Sequence, residues 1–245
     1  MKKLLVSALA VAAILTSCAP QSTKVVFATD STWPPMEYIN DAKELVGYDI
    51  DLVKEIAKEA GFEVEFKSVA WDGIFAGLEN GSYDAVVSSV TINDERKAKY
   101  DFSDPYINAG QITVVAKDST ATQLTDLKGQ PVAAQLGTTG AQQIETVFGT
   151  KDNLKAYDEI GLAFEDLFNG RVAAVVTDTP VAAQFALQND KYKEAFKIIG
   201  QPMTDEFYGI VVKKGNQALL DKINAGLAKV KAAGTPDKLA ETWLK

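Results

Sequence analysis

The chain has 245 residues, 47 % apolar and 24 % charged, enough to bury one large core or two smaller ones. Its formal charge is −8 with no concentrated basic stretch, which argues against nucleic acid as a partner. It holds no histidine and one cysteine, so the commonest general base and the commonest transition-metal ligand are excluded, and neither a metal site nor a cofactor is expected.

The first segment reads as a targeting signal. Met1-Lys2-Lys3 is basic, residues 4–15 are an apolar run, and Leu15-Thr16-Ser17-Cys18 follows. The run is too short to span a bilayer as a permanent helix. A basic start, a short apolar core and small residues before a cut make an export signal. The last four residues resemble the lipobox of bacterial lipoproteins, where the signal is removed just before the cysteine and that residue is lipidated. The expectation is a signal over 1–17, lipidation at Cys18 and a short tether over 18–23. The alternative is an ordinary signal peptide with an incidental Cys18.

Strands then alternate with helices, the pattern of an α/β fold with largely parallel sheets. Residues 24–28 predict a strand. Residues 47–60 predict a helix, with Ile50, Val53, Ile56, Ala57 and Ala60 at helical spacing and Gly61 just past its end. Residues 63–69 alternate like a strand. The segment 72–80 predicts a short helix closed by Gly81, and 85–88 a buried strand. Asn93 can cap a helix that opens with Asp94 and Glu95. Strands are expected at 111–117 and 131–135, with helices on either side of the latter. The segment 161–170 predicts a helix closed by Gly170, feeding a strand over 172–176. Thr179-Pro180 opens another helix. A strand over 208–214 and two helices finish the chain.

One motif is written twice. Leu78, Asn80, Gly81 and Ala85-Val86-Val87 recur as Leu167, Asn169, Gly170 and Ala174-Val175-Val176 at identical spacing. Each copy is a helix that ends at glycine and feeds a buried strand. Two similarly built lobes are suggested; a single doubly wound sheet with an internal repeat is the alternative.

Ligands of open α/β sheets bind beyond the carboxyl ends of the strands. The predicted strands end in Asp30, in Ser88-Ser89, in Leu136-Gly137-Thr138-Thr139 and in Thr177-Asp178. Arg96 sits in the first turn of a helix, where free N–H groups already favour an anion, and its guanidinium can grip a carboxylate through two parallel hydrogen bonds. Ser89 and Thr91 can add donors. The plainer reading pairs Arg96 with Glu95 or Asp94 on the surface. Residues 136–141 offer a second helix N-terminus but lack the lysine of a phosphate-binding loop. Asp178 is either a capping acid or the counter-charge of an ammonium group. Trp33 and Trp71 are either core residues or the walls of a small-molecule cleft.

The stretches "FATDSTWPPMEY", "GYDIDLVKEIAKEAGFEVEF" and "WDGIFAGLENGSYDAVVSSVTINDERKAKYDFSDPY" resemble the polar amino-acid-binding proteins of bacterial ABC importers, extracellular solute-binding protein family 3, over essentially all of 24–245. The resemblance implies a two-lobed "Venus flytrap", the periplasmic-binding-protein-like II fold, each lobe a mixed, mostly parallel sheet flanked by helices. Lobe 1 would take 24–107 and 208–245 and lobe 2 would take 110–202, with hinge crossovers near 107–110 and 204–208. Carried over, Arg96 would hold the ligand's α-carboxylate, helped by Thr91 and the backbone of Ser89 and Thr139, and Asp178 its α-ammonium. Ser88 and Ser89 match paired serines of binders of basic amino acids. Asp30 would meet the side chain, between Trp33 and Trp71; Gln135 and Thr138 complete the expected set. Three positions depart from family members. Gln135 stands where a glutamine binder carries lysine, Thr177 where it carries histidine, and Gly140 where binders of basic amino acids carry glutamine.

The implied function is capture of a polar amino acid and delivery to a permease in the cytoplasmic membrane by a lipid-anchored, exported monomer. With Arg96 and Asp178 spent on the ligand's backbone charges, Asp30 is left over. A buried unpaired acid is costly, so arginine or lysine is expected first and glutamine second. The rival expectation is an exported dehydratase-like enzyme on the same fold, with Asp30 or Glu37 as general acid.

Overall fold

The computed structural model describes residues 24–245. The signal, the tether and Cys18 lie outside the described residues. Two five-stranded sheets organise the rest. The first holds β1 (Lys24–Thr29), β2 (Glu63–Ser68), β3 (Ala85–Val86), β4 (Tyr100–Phe102) and β10 (Val211–Lys213), in the order β2-β1-β3-β10-β4. The second holds β5 (Gln111–Ala116), β6 (Val132–Gln135), β7 (Leu154–Tyr157), β8 (Ala174–Asp178) and β9 (Phe196–Ile199), in the order β7-β6-β8-β5-β9.

In each sheet four strands point one way and one runs against them, β10 in the first and β5 in the second. Both are the first sheet strands reached after the chain crosses from the other lobe. A chain that enters from the cleft must run away from it, opposite to the strands that end there. The crossovers lie side by side as a two-stranded ribbon, Ile107–Asn108 against Phe207–Tyr208.

Both faces of the inner strands are buried, which is why β1, β5, β6 and β8 read as near-continuous apolar runs. Along β1, Val25 and Phe27 face the core under α1 (Tyr48–Ala60) and Ala28 faces the one under α2 (Ile74–Asn80). The arginine helix α3 (Asp94–Lys99) lies between β3 and β4 in sequence. In the second lobe Ala133 and Val175 pack on the side of α5 (Ile160–Phe168), and Val132, Ala134 and Val176 on the side of α4 (Thr139–Phe148). The short helix α6 (Thr179–Ala183) follows β8, while α7 (Gln217–Ala232) and α8 (Thr235–Trp243) return to the first lobe and pack on α1.

The repeated motif resolves into α2–Gly81–β3 and α5–Gly170–β8, and β3 and β8 are the central strands of their own sheets. Each sheet therefore carries one copy.

Several element boundaries differ from the sequence expectation. The buried strand at 85–88 pairs only over Ala85–Val86. The strand expected at 208–214 is broken into Phe207–Tyr208 and Val211–Lys213, because its first half belongs to the crossover ribbon. A 3₁₀ turn, Trp71–Gly73, precedes α2. The strands β4, β7 and β9, and the small sheet Thr32–Trp33, Glu37–Ile39, Leu45–Val46, had no distinct sequence signal. They are short, and edge position leaves them half-apolar.

The first helix begins at Tyr48, not Gly47. Gly47 has φ 133°, outside the helical region and open only to glycine. The amides that follow it donate to the preceding turn, Tyr48 N–H to Pro35 O at 3.1 Å and Asp49 N–H to Met36 O at 2.9 Å. A Cβ at 47 would stand 2.2 Å from Met36 O. Gly47→Ala is therefore expected to cost about 3 kcal/mol or more, from backbone strain and the clash together. Urea denaturation checks it; a midpoint unchanged from the wild type would refute it.

Candidate functional site

A cavity with about 310 Å³ of space, part of it open to solvent, lies between the two sheets, at the carboxyl ends of β1, β3, β6 and β8. The first lobe lines it with Asp30, Trp33, Trp71, Ser88, Ser89, Thr91 and Arg96, the second with Gln135, Thr138, Thr139 and Asp178. Every candidate named from the sequence other than Cys18 thus meets around one space. Glu37, considered above only as a general acid, joins them.

The lobes touch across the cavity. Gln135 Nε2 donates to Asp30 Oδ2 at 2.9 Å and to Asp158 O at 2.7 Å. Arg96 Nη2 reaches Gly137 O at 3.4 Å, while its Nη1 donates to Thr91 O at 3.0 Å. Asn93 caps α3 by accepting the Arg96 N–H at 2.9 Å, and this fixes where the guanidinium leaves the helix. The guanidinium carbon then lies 5.4 Å from the centre of the Trp71 ring and 5.6 Å from that of Phe75. Trp71 is thus a platform for Arg96 as well as a wall of the cavity. The plainer surface pairing is not found: Asp94 and Glu95 instead meet Lys97 and Lys99.

Asp178 closes β8 opposite Gln111, the first residue of β5, and accepts from Gln111 Nε2 at 2.8 Å. It belongs to the strand, not to the turn after it. Gly140 sits against this pair: a Cβ there would lie 2.8 Å from Gln111 Oε1 and 2.9 Å from Val176 O. No side chain fits at 140 while Gln111 stands where it does. Gln111 carried no signal in the sequence beyond opening a strand.

Glu37 is fully buried and accepts from Ser88 Oγ and Ser89 Oγ, each at 3.1 Å. Behind it Asp49 Oδ2 accepts the Ser89 N–H at 2.8 Å and the Tyr106 hydroxyl at 2.7 Å. The first of these bonds holds Ser89 at φ 48°, a left-handed conformation rare for serine. Asp49 Oδ1 is buried and meets no N–H or hydroxyl donor. Glu37 is its acidic neighbour, and the Asp49 charge opposes ionisation of Glu37. In the sequence Asp49 reads only as a first-turn acid.

Burial raises the whole set of acids. It pushes Asp178 up to about 7, with the Glu206 charge adding to the effect. It pushes Asp49 up to about 6. Glu37 rises well above the ordinary carboxylate range, from burial first and then from the Asp49 and Asp30 charges. Asp30 rises through burial, against hydrogen bonds from Gln135 and Thr32. Between about pH 4 and pH 7 the folded protein therefore holds more protons than the unfolded chain, and stability falls as pH rises. The acids whose ordinary value is lowered, such as Asp166 among Lys155, Tyr157 and Arg171, lose their contribution only below that window. The melting temperature is expected to drop by about 5 °C or more from about pH 5 to about pH 8. A scanning calorimetry profile that is flat or rising over that range would refute this.

Among the described residues no cluster of three His, Cys, Asp or Glu could hold a metal ion, and no helix is long and apolar enough to cross a membrane. What the geometry offers is one guanidinium facing several acids, hydroxyls and amides across two lobes.

The sequence profile of the bacterial extracellular solute-binding proteins, family 3, matches residues 25–245. The ABC transporter arginine-binding protein 1 of Escherichia coli (strain K12) is 35 % identical over 99 % of this chain and 99 % of its own. Among solved structures, the arginine-, lysine-, histidine-binding protein ArtJ of Geobacillus stearothermophilus superposes with a TM-score of 0.85 at 35 % identity, covering 90 % of this chain and 95 % of that one. An ancestral arginine-binding protein bound to arginine gives 0.84 at 44 % identity, covering 91 % and 98 %. The same kind of ancestral protein is also known bound to glutamine.

Proposed function

The chain belongs to the bacterial extracellular solute-binding proteins, family 3, and on that premise we propose that it binds a basic L-amino acid between its lobes, arginine or lysine first and glutamine second, and delivers it to an ABC permease. Arg96 receives the α-carboxylate at the N-terminus of α3, where the helix dipole and the guanidinium act together. Asp178 in the other lobe receives the α-ammonium. The side chain runs from there between Trp33 and Trp71 toward Asp30, Glu37 and Gln135. A ligand that contacts both lobes binds the closed form better than the open one and shifts the population toward closure. Lobe 1 is 24–107 with 208–245, lobe 2 is 110–202, and the ribbon of crossovers is the hinge.

One observation supports this reading above the others. The cavity sets a single cation, Arg96, against the carboxyl groups of Asp30, Glu37 and Asp178. Glu37 is raised well above the ordinary carboxylate range, so Asp30 and Asp178 are the two acids left to carry charge. An amino acid with a cationic side chain supplies two positive groups and one negative group, which pairs with those two and with Arg96. A relative named as an arginine-binding protein, and ancestral arginine-binding proteins known bound to arginine and bound to glutamine, fit the same order of preference. Export and lipidation at Cys18 would keep the protein near its permease; stable anchoring takes more than one acyl chain.

Titration calorimetry with a panel of L-amino acids tests the proposal. Arginine or lysine should bind most tightly, glutamine next. Glutamate or leucine as the preferred ligand would overturn it.

A further inference from the structure

We infer that Glu206 is a positioning residue for amino-acid binding: from the second crossover its carboxylate clasps Thr91 of one lobe and Thr139 of the other and holds the back wall of the cavity shut. The inference rests on the reading of the cavity as an amino-acid site, and extends it to a residue outside the cavity lining.

The clasp is built from one oxygen. Glu206 Oε2 accepts from Thr139 Oγ1 at 2.7 Å, from Thr91 Oγ1 at 2.9 Å and from Gln111 Nε2 at 3.4 Å. Its backbone carbonyl accepts the Ala109 N–H at 2.8 Å, so the same residue also ties the two crossovers together. Thr91 is held in place by a bridge to Tyr208, and the next residue, Ile92, donates to Phe207 O at 2.8 Å. One side chain therefore engages both lobes from within the hinge.

Thr91 and Thr139 line the inner cavity and also an outer groove of about 710 Å³ on the hinge side, to which Glu206 contributes. The three residues form the wall between ligand space and solvent. A threonine hydroxyl has one hydrogen. With both hydrogens directed at Glu206, neither hydroxyl donates into the cavity. Thr139 Oγ1 also accepts from Gln111 Nε2 at 3.1 Å, and each hydroxyl keeps a lone pair that can accept from an ammonium group. Thr91 is therefore an acceptor here and not the added carboxylate donor expected from the sequence. The network continues from Gln111 Nε2 to Asp178 Oδ1 at 2.8 Å, so the clasp also steadies the carboxylate that would face that ammonium. Arg96 is the cation facing both Glu206 and Asp178, and Tyr208 is a further ionisable neighbour of Asp178.

A charged acceptor with two hydroxyl donors is stronger than a neutral one. Glutamine in place of the acid would keep the wall but bring an amide that must itself donate. Glu206→Gln is expected to raise the Kd for arginine and speed its dissociation by about tenfold to a hundredfold. Glu206→Ala should do at least as much, because it also opens the wall. Without added amino acid, small-angle scattering should show a larger radius of gyration for both variants than for the wild type. The pH profile separates positioning from simple loss of structure. Asp178 must be ionised to hold an ammonium group, so affinity falls as pH drops through its titration. Removing the Glu206 charge lowers that midpoint in Glu206→Gln.

Three results would each overturn the clasp. One is wild-type affinity and dissociation rate in Glu206→Gln. Another is a weakened Glu206→Gln whose pH midpoint stays at the wild-type value. The third is an unchanged radius of gyration in both variants without amino acid. A wild-type protein that takes up no amino acid would instead refute the ligand assignment, and scattering would still decide the clasp.

Discussion

Arg96→Met is expected to lower the affinity for every amino acid by about a thousandfold or more. Methionine keeps most of the apolar stem that packs on Trp71 and Phe75, so the helix and the aromatic platform should survive. What disappears is the cation. A carboxylate brought into the cavity would then meet no positive partner, and a buried charge without its partner costs about 2–5 kcal/mol or more. The loss also works through the neighbouring acids. Asp178 and Glu206 both draw on the Arg96 charge, and without it their mutual repulsion pushes Asp178 further toward its protonated, non-binding form. Arg96→Lys should fall between the two, since it restores charge but not the planar fork. Calorimetry with arginine and glutamine measures both variants. An Arg96→Met protein that binds either ligand within about tenfold of the wild type would remove the carboxylate role from this residue.

Asp30→Asn is expected to act on choice rather than on binding in general. The affinity for arginine should fall about a hundredfold, while that for glutamine changes by less than about fivefold. Asp30 Oδ2 accepts from Gln135 Nε2 at 2.9 Å and Oδ1 accepts from Thr32 Oγ1 at 2.8 Å. Its N–H donates to Ser88 Oγ at 2.9 Å, a contact the substitution leaves alone. Asparagine can keep its oxygen toward Gln135, so the link between the lobes is retained; its amide nitrogen then faces the Thr32 hydroxyl, which must turn from donor to acceptor, and the charge is lost. Glu37 remains beside the site, which limits the loss for arginine. Equal losses for arginine and glutamine would show that Asp30 supports closure and does not read the side chain.

The cavity holds more acid than the sequence suggested. Counting Asp30 as the one surplus carboxylate leaves out Glu37, because Glu37 lies in a Pro-rich stretch with no periodicity to place it. The small sheet around Glu37–Ile39 turns that stretch back on itself, and Gly47 locks it against the start of α1. Only then does Glu37 stand beside Asp49, Ser88 and Ser89. Hydrogen bonds offset part of the cost of gathering these acids: the Ser88 and Ser89 hydroxyls donate to Glu37, and the Ser89 N–H and the Tyr106 hydroxyl donate to Asp49.

By itself the sequence determined the local structure and the chemistry at the ends of the strands. Apolar periodicity located the long helices, glycines marked their ends, and the repeated helix–glycine–strand motif announced one unit per sheet. Because parallel strands that lead into a cleft end at it, reading the residue after each strand was enough to collect Asp30, Ser88, Ser89, Thr138, Thr139 and Asp178. Tertiary structure alone decided what depends on contact between distant segments. It set β5 and β10 against their neighbours, made Trp71 a platform for Arg96, and brought Gln111 from the start of a strand and Glu206 from the hinge to the back of the site. These residues sit at crossovers and turns, where no hydrophobic period constrains them. Their position follows from how the two lobes meet, and a one-dimensional pattern carries no record of that meeting.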